Sequence, residues 1–452
     1  MEDNGVAPAG AADTDEEEEQ FDISLPAAHS YMGHGLVSVG GRSVLEPGWE
    51  GNIPVISRHG TVFPGETVPL LLTNNQDISL LTQAIRKDKL FGLLCPDESG
   101  ALVSGYGVLC EIFEASGVAG AGEAAAGAGA AGAEPHALDG LDGDEDVRAT
   151  FSCKARAVHR FRFVEMPKFS VPIHIYMRVK LVLVRVLPEV NMSEPLRHTR
   201  LASLDSLRRS RTPLDRRLRA LDAATTPWPL FVYDIFDYRR MRAVLREHFR
   251  TFMLDKMPEE PVSLSFWVAS NLTLSPRERL ALFVVDDALL RLHMAVRYVA
   301  RRAVLCCASC GGEVARRDHV VPMSSEGVHS NYTNIGGFMH DIVTVSQAYN
   351  VRLSGAPTAE FSWFPGYTWT IANCAACSSH IGWRFDAARA RLRPRQFFGL
   401  CRNYVSPRSD GARLLRSLTP PLPLPAARRT PRAAAALVAR HARDPDLDDD
   451  DA

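Results

Sequence analysis

Two Cys-x-x-Cys pairs stand in the C-terminal half of the chain, Cys307 with Cys310 and Cys374 with Cys377. Four thiolates in this spacing suit a tetrahedral zinc ion, because a two-residue spacer in a tight turn lets both sulfurs reach one metal at about 2.3 Å. Ordinary buried or redox-active thiols are the alternative. Two such pairs among nine cysteines, an odd number with no disulfide framework, point to one structural Zn2+ and a reducing compartment. Cys306 is read as a neighbour and not a ligand, and Cys95, Cys110 and Cys153 as small core residues.

Around the second pair, Ser362 to Phe385 read SWFPGYTWTIANCAACSSHIGWRF, with Trp363, Trp369 and Trp383 contributing three of the chain's six tryptophans. Three indoles about one point bury much apolar area and leave N–H groups that need acceptors. Such a slot suits a flat ligand with a polar edge, such as a glutarimide or succinimide ring. Indoles also attract cations, so a methylated lysine is a second candidate occupant, with Glu360 the nearest acid. In the plainer alternative the three rings fill a core. His340 and His380 read as structural histidines. Cys401, followed by Arg402 and Asn403, faintly resembles the nucleophile segment of B-type methionine sulfoxide reductases, which share the double Cys-x-x-Cys arrangement. A thiolate there needs a positive neighbour or a base to lower its pKa; otherwise Cys401 is an inert strand residue.

The elements that position these groups change texture along the chain. At 452 residues it exceeds one ordinary core, so two or three domains are expected. Residues 1–50 open with eight acids and no Lys or Arg in the first twenty, and are expected to be mostly disordered. Short β-branched runs punctuated by Gly and Pro, such as 67–73, 160–164 and 179–186, predict a β-rich domain over 51–190, with a helix over 78–89. An Ala/Gly-rich stretch at about 117–143 buries too little to order itself and reads as an insertion in a loop.

Helical patterning takes over across 191–302. Ser275, Pro276 and Glu278 predict a capped helix start, and Leu289, Leu292, Val296 and Val299 fall on one stripe. The arginines of 197–219 lack interleaved aromatics and read as a solvated face. Residues 407–452, with PPLPLP and an Arg-rich then acidic end, read as a disordered tail. A net charge of −2 gives no global pull toward nucleic acid. No apolar run reaches the ~20 residues a membrane span needs, and the acidic start is unlike a signal peptide, so a cytoplasmic and nuclear protein is expected.

The segment SWFPGYTWT, the second cysteine pair and HIGWRF together resemble the thalidomide-binding (CULT) domain of the cereblon family. FDISLPAAHSY, YTNIGGFMHDIVTV and GAPTAEFSWFPGY carry the same resemblance, and PVISRHGTVFPGETVPLLL resembles the start of that family's Lon N-terminal-like domain. The resemblance implies an α+β multidomain chain: a β-rich Lon-like domain, a helical bundle, and over 303–406 a zinc-bound all-β CULT domain of two packed antiparallel sheets. It also implies a non-catalytic substrate receptor of a cullin-RING ubiquitin ligase, whose helical bundle docks on the ligase's damaged-DNA-binding adaptor propeller. No GxxxxGK[ST] phosphate loop is present, so the Lon likeness implies fold and no ATP-driven protease. Trp363, Trp369, Trp383 and Phe385 correspond to the family's lining of the cyclic-imide pocket, and Asn334 to its lid, with Gly336 and Gly337 making that loop pliable. Protein substrates with cyclised Asn or Gln ends, or small imides, are the implied ligands. One position departs: Phe361 stands where the family has a histidine, so one polar contact to the imide is expected to be lost.

Overall fold

The computed structural model describes residues 18–33, 35–41, 45–57, 60–116, 151–165, 181–191, 213, 216–217, 235–250, 257–299 and 303–409. The Ala/Gly insertion, most of the arginine-rich segment 197–219 and the tail beyond 409 lie outside the described residues. The start of the chain departs from the expectation of disorder over 1–50. Strand β1 (Glu19–Gln20), helix α1 (Ser24–Ala27) and strand β2 (Val37–Ser38) form there. The two strands form by pairing with distant partners, Glu19 with Leu392 and Val37 with Ala115, which no local periodicity announces.

Strands β3 (Glu50–Ser57), β4 (Thr67–Leu72), β5 (Leu90–Pro96), β6 (Val103–Ala115), β7 (Phe151–Phe163) and β8 (Leu181–Val186) build the first sheet. Pairings β6–β5, β5–β3, β3–β8, β8–β7 and β7–β6 close a ring, so five strands make a barrel, with β2 flanking β6 and β4 flanking β7. Ile53, Val55, Leu94, Leu109, Phe161, Phe163, Val184 and Val186 cluster as one core. Phe161 lies so near Gly107 that a Cβ there would collide with its ring and with the Leu93 carbonyl, which explains a glycine in mid-strand. Helix α2 (Asn75–Lys87) begins three residues before the predicted 78 because Asn74 caps it, its side chain accepting from the Gln76 N–H at 2.8 Å.

Helices α3 (Tyr238–His248), α4 (Pro261–Asn271), α5 (Pro276–Phe283) and α6 (Ala288–Val299) follow. Ser275 and Glu278 form the predicted reciprocal capping box at the start of α5. On α6 the predicted stripe holds: Leu289 and Leu292 are buried and Val296 and Val299 pack partly against them. The helices do not make a separate bundle core. Leu245, Leu264, Val268, Phe283 and Leu292 share one cluster with Val68, Leu70, Phe91 and Ile112 of the sheet. Arg160 and Arg291, fully buried, fasten the two parts through Glu189, at 2.6 and 2.8 Å. Each charge is paired, as burial requires.

The C-terminal part is all antiparallel β. Strands β9 (Ala303–Cys307) and β10 (Glu313–Arg316) join β18 (Val405–Ser409) in a three-stranded sheet, which runs three residues past the expected boundary at 406. Strands β11 (His329–Thr333), β12 (Met339–Val345), β13 (Val351–Thr358), β14 (Tyr367–Cys374), β15 (His380–Ala387) and β17 (Gln396–Cys401) form a six-stranded sheet in the order β11-β12-β17-β15-β14-β13. The short β16 (Leu392–Arg393) pairs in parallel with β1. The expected two sheets are therefore present.

Strand β11 lies against β4. Thr333 donates to the Pro69 carbonyl at 2.6 Å, and Asn331 Nδ2 donates to Glu66 at 2.9 Å. Behind it, buried Arg402 reaches Asp341 at 3.0 Å, the His329 ring at 3.1 Å and the Ser270 carbonyl at 3.1 Å. Sheet, helices and C-terminal domain thus meet over a polar seam of hydrogen bonds and ion pairs.

Candidate functional site: a cysteine cluster and an indole cluster on one hairpin

The β14–β15 hairpin carries chemistry at both ends. At its turn, Cys374 and Cys377 meet Cys307 and Cys310 from the β9–β10 turn, all four sulfurs lying within 4.8 Å of one another. Two of the separations, Cys307 to Cys377 and Cys310 to Cys374, are 3.6 Å. A tetrahedron with ligands at 2.3 Å has edges of about 3.8 Å, so the cluster fits one zinc ion. None of the nine cysteines forms a disulfide. Cys306 is buried beside the cluster and outside it, as read from sequence.

The two knuckles repeat one backbone pattern. Cys307 N–H donates to the Gly312 carbonyl and Gly311 N–H back to Cys307, just as Cys374 N–H donates to Ser379 and Ser378 N–H back to Cys374. The residue four positions after the first cysteine is left-handed in both, Gly311 at φ +74° and Ser378 at φ +62°. This turn aims two sulfurs at one point. The hydroxyl and N–H of Ser379 beside Cys377 hold that thiol down at about 6, toward the thiolate a metal requires.

At the other end of the hairpin, register settles which side chains share a face. Trp369 lies opposite Phe385 and Ile371 opposite Trp383, so these four project from one face of the sheet. Trp363, from the loop before β14, closes on them: its ring stands 4.8 Å from Trp383 at 77° and 6.4 Å from Phe385. Its indole N–H donates to the Thr333 carbonyl at 3.1 Å, while the Trp369 N–H donates to the Glu360 carbonyl at 2.8 Å. Both indole donors are thereby satisfied by backbone. Trp363 and Phe385 are buried, whereas Trp369 and Trp383 are partly open. The cluster is thus core on one side and partly exposed on the other.

The remaining predicted residues fall differently. Asn334 holds its own turn, its side-chain oxygen accepting the Phe338 N–H at 2.9 Å, with Gly337 at φ +77° beyond it. A Cβ on Gly337 would stand 2.5 Å from the Leu71 carbonyl, so this loop presses on β4. Phe361 adopts φ +54°, and its ring meets Tyr31, at 5.4 Å and 66°. Glu360 is exposed and touches Trp369 through its carbonyl, which leaves the cation-cage reading without the expected carboxylate contact.

Sequence reasoning took His340 and His380 as structural histidines but did not place them, or Tyr332, against the indoles. His340 lies 5.1 Å from Trp383 and 5.8 Å from Trp363, and Tyr332 stacks on Trp363 at 5.2 Å and 13°. His380, which burial pushes down, stands 4.7 Å from Trp383. Period-two alternation from His340 and Tyr332 along their strands was the available signal. Cys401 Sγ sits 3.8 Å from His340 Nδ1, yet burial, with Asp341 nearby, pushes its thiol far up. Arg402 is engaged by Asp341 and His329, and burial of Cys401 disfavours the thiolate that reductase chemistry would need.

Comparison with known proteins agrees with this division. The family model for the ATP-dependent protease La (LON) substrate-binding domain matches residues 52–301, and the model described as Yippee zinc-binding/DNA-binding/Mis18, centromere assembly, matches 303–411. With the four-sulfur geometry, the latter gives one structural zinc held by Cys307, Cys310, Cys374 and Cys377. Protein cereblon of Xenopus tropicalis is 30% identical over 406 residues, covering 86% of this chain and 85% of that protein. Protein cereblon of Danio rerio is 29% identical over 408 residues, covering 86% and 88%. That of Drosophila mojavensis is 29% identical over 416 residues, covering 88% of this chain and 56% of the longer fly protein. A Lon-type β barrel, its packed helices and a zinc-pinned antiparallel domain carrying an indole cluster thus come together in a chain that belongs to the cereblon family.

Proposed function

We propose that this chain is a substrate receptor of a cullin-RING ubiquitin ligase that performs no bond chemistry itself. Its cage of Trp363, Trp369, Trp383 and Phe385 takes a cyclic imide, either a small molecule or a protein end formed by cyclised Asn or Gln. The observation that carries this reading is the hairpin face on which Trp369, Trp383 and Phe385 are fixed in register, with Trp363 closing at right angles to Trp383. Rigid perpendicular indoles favour a flat ring over a flexible chain, because little entropy remains to be lost.

The imide edge meets backbone groups near Phe361 and Trp363, and Asn334 lies on the lid loop above. The helices of 191–302 hold the adaptor propeller of the ligase. Joining substrate and ligase on one scaffold raises the effective concentration of substrate lysines at the ubiquitin-charged enzyme. Nucleic acid and membranes are not partners in this proposal, and the protein works in cytoplasm and nucleus.

The test is a titration of the purified full chain, followed by tryptophan emission, with glutarimide, a trimethyl-lysine peptide and a methionine sulfoxide peptide. Saturable quenching by glutarimide alone is expected. Saturation by the lysine peptide alone supports a methyl-lysine reader, and turnover of the sulfoxide an enzyme; either outcome removes the imide proposal.

A further inference from the structure

Lysine and arginine are used unequally along the chain. Six of its 51 Lys and Arg residues are lysines, namely Lys87, Lys89, Lys154, Lys168, Lys180 and Lys256, and residues 303–409 carry ten arginines and no lysine. Among the described lysines only Lys87 is open, its side chain 74% exposed at the end of α2. Lys154 is 11% exposed, held by Glu114 at 2.7 Å and the Ala28 carbonyl at 2.6 Å, and Lys89 is half-buried. Lys168, Lys180 and Lys256 lie outside the described residues.

Geometry accounts for arginine inside the C-terminal domain but not on its surface. Buried Arg402 bonds in three directions, to Asp341, the His329 ring and the Ser270 carbonyl, which takes the planar guanidinium fork. Arg316, Arg352, Arg384 and Arg408 each make one polar contact within the described residues, to Glu313, Ser378, Asp386 and the Gly311 carbonyl. A lysine ammonium can make any of these, and exposed ion pairs of either kind contribute little to stability. What the guanidinium withholds is chemistry. Near neutral pH about one lysine in a thousand has shed its proton and is a nucleophile, whereas arginine stays charged.

We propose that the C-terminal domain is a face free of amine acceptors, charged by arginine in place of lysine, so that the protein held in its cage and not the receptor itself takes the ubiquitin. The proposal rests on the ligase reading given above. In the transfer a neutral lysine Nζ attacks the thioester carbonyl of the ubiquitin-charged enzyme. The amide C–N bond forms as the C–S bond breaks, and the leaving thiolate takes up the proton that the amine gives up. A lysine fixed on the domain that holds the substrate has a similarly raised effective concentration and competes with it. An arginine there does not.

The zinc-loaded full chain, reconstituted in the cullin-RING ligase with ubiquitin, is compared with Arg316→Lys and Arg389→Lys, whose parent side chains are 60% and 62% exposed. A lysine-bearing peptide ending in a cyclised glutamine is the substrate, and mass analysis maps every ubiquitin site. Acetylation by an N-hydroxysuccinimide ester measures the accessibility of each amine without the ligase. Both variants are expected to keep zinc and glutarimide affinity and to acetylate at the new lysine about as fast as at Lys87. Both should gain ubiquitin at that lysine, raising self-modification about fivefold and lowering conversion of the peptide. New lysines that acetylate yet take no ubiquitin while the peptide is modified would overturn the proposal alone. Self-modification of the wild type equal to that of both variants would also overturn it. No ubiquitin on peptide or receptor would remove the ligase reading and the proposal together.

Discussion

The two ends of the β14–β15 hairpin are held by different physics. The knuckle end is local: four sulfurs from two matching turns converge on one ion, and the backbone pattern of each turn closes within six residues. The indole end is assembled from afar, with Trp363 fixed by Thr333 and Tyr332 of β11, and these in turn by Tyr31. A metal site therefore sets the hairpin's geometry, while packing contacts of high sequence separation tune its other end.

The largest effect expected is at the knuckle. Cys374→Ser, or removal of zinc by a chelator, takes away a site whose binding energy is on the order of 10 kcal/mol. Thermal denaturation and metal analysis should show loss of zinc, unfolding of the C-terminal domain, and loss of ligand binding together. Retained imide binding in a zinc-free chain would break the comparison, since the indole end would then not depend on the metal.

Next come the indoles, which should separate into core and surface. Trp363→Ala removes a ring stacked on Tyr332 and is expected to cost about 3–5 kcal/mol in denaturant unfolding. Trp383→Ala, partly open, should cost less stability yet abolish measurable imide binding with zinc retained.

Acid should loosen the N-terminal segment before the knuckle. Burial, with Lys154 and Arg156 nearby, pushes His29 down to about 3 from its ordinary 6.5, so the unfolded segment binds a proton that the folded one does not. Its stabilising contribution is complete above pH 6.5 and is lost as pH falls from there toward 3, by about 1.4 kcal/mol per unit. Protection of residues 21–32, taken as exchange relative to the intrinsic rate of a free amide at the same pH, should fall between pH 7 and pH 5, and His29→Gln should flatten that fall. Flat protection in the wild type would contradict it.

Smaller still is Phe361→His, which restores the family's polar contact. About 1 kcal/mol is at stake, so imide affinity should tighten several-fold in calorimetry. Equal or weaker affinity would show that the ring's packing on Tyr31 outweighs the hydrogen bond. Smallest is the pair of left-handed knuckle residues. Gly311→Ala should lower stability by about 1 kcal/mol and Ser378→Gly should raise it by a few tenths, because only glycine adopts that backbone freely.

Legibility in the sequence follows the same division. The knuckles could be read because their ligands come in local pairs, and the capping box of Ser275 with Glu278 because it spans three residues. The tryptophan cluster could be read because Trp363, Trp369 and Trp383 lie in one segment. The N-terminal segment could not, since β1 is two residues long and exists only through its pairing with β16. Barrel closure was hidden for a related reason: β6 and β7 pair across the whole Ala/Gly insertion. Nor does a pattern of apolar residues announce buried cations such as Arg160, Arg279 and Arg291, whose partners Glu189, Glu66 and Asp341 lie far off in sequence.

The most direct measurement is a calorimetric titration of glutarimide into the zinc-loaded full chain, run beside Trp383→Ala. One saturable site in the wild type and none in the folded, zinc-containing variant is the expected result. No binding heat and unchanged tryptophan emission in a wild type carrying its full zinc complement would contradict the account.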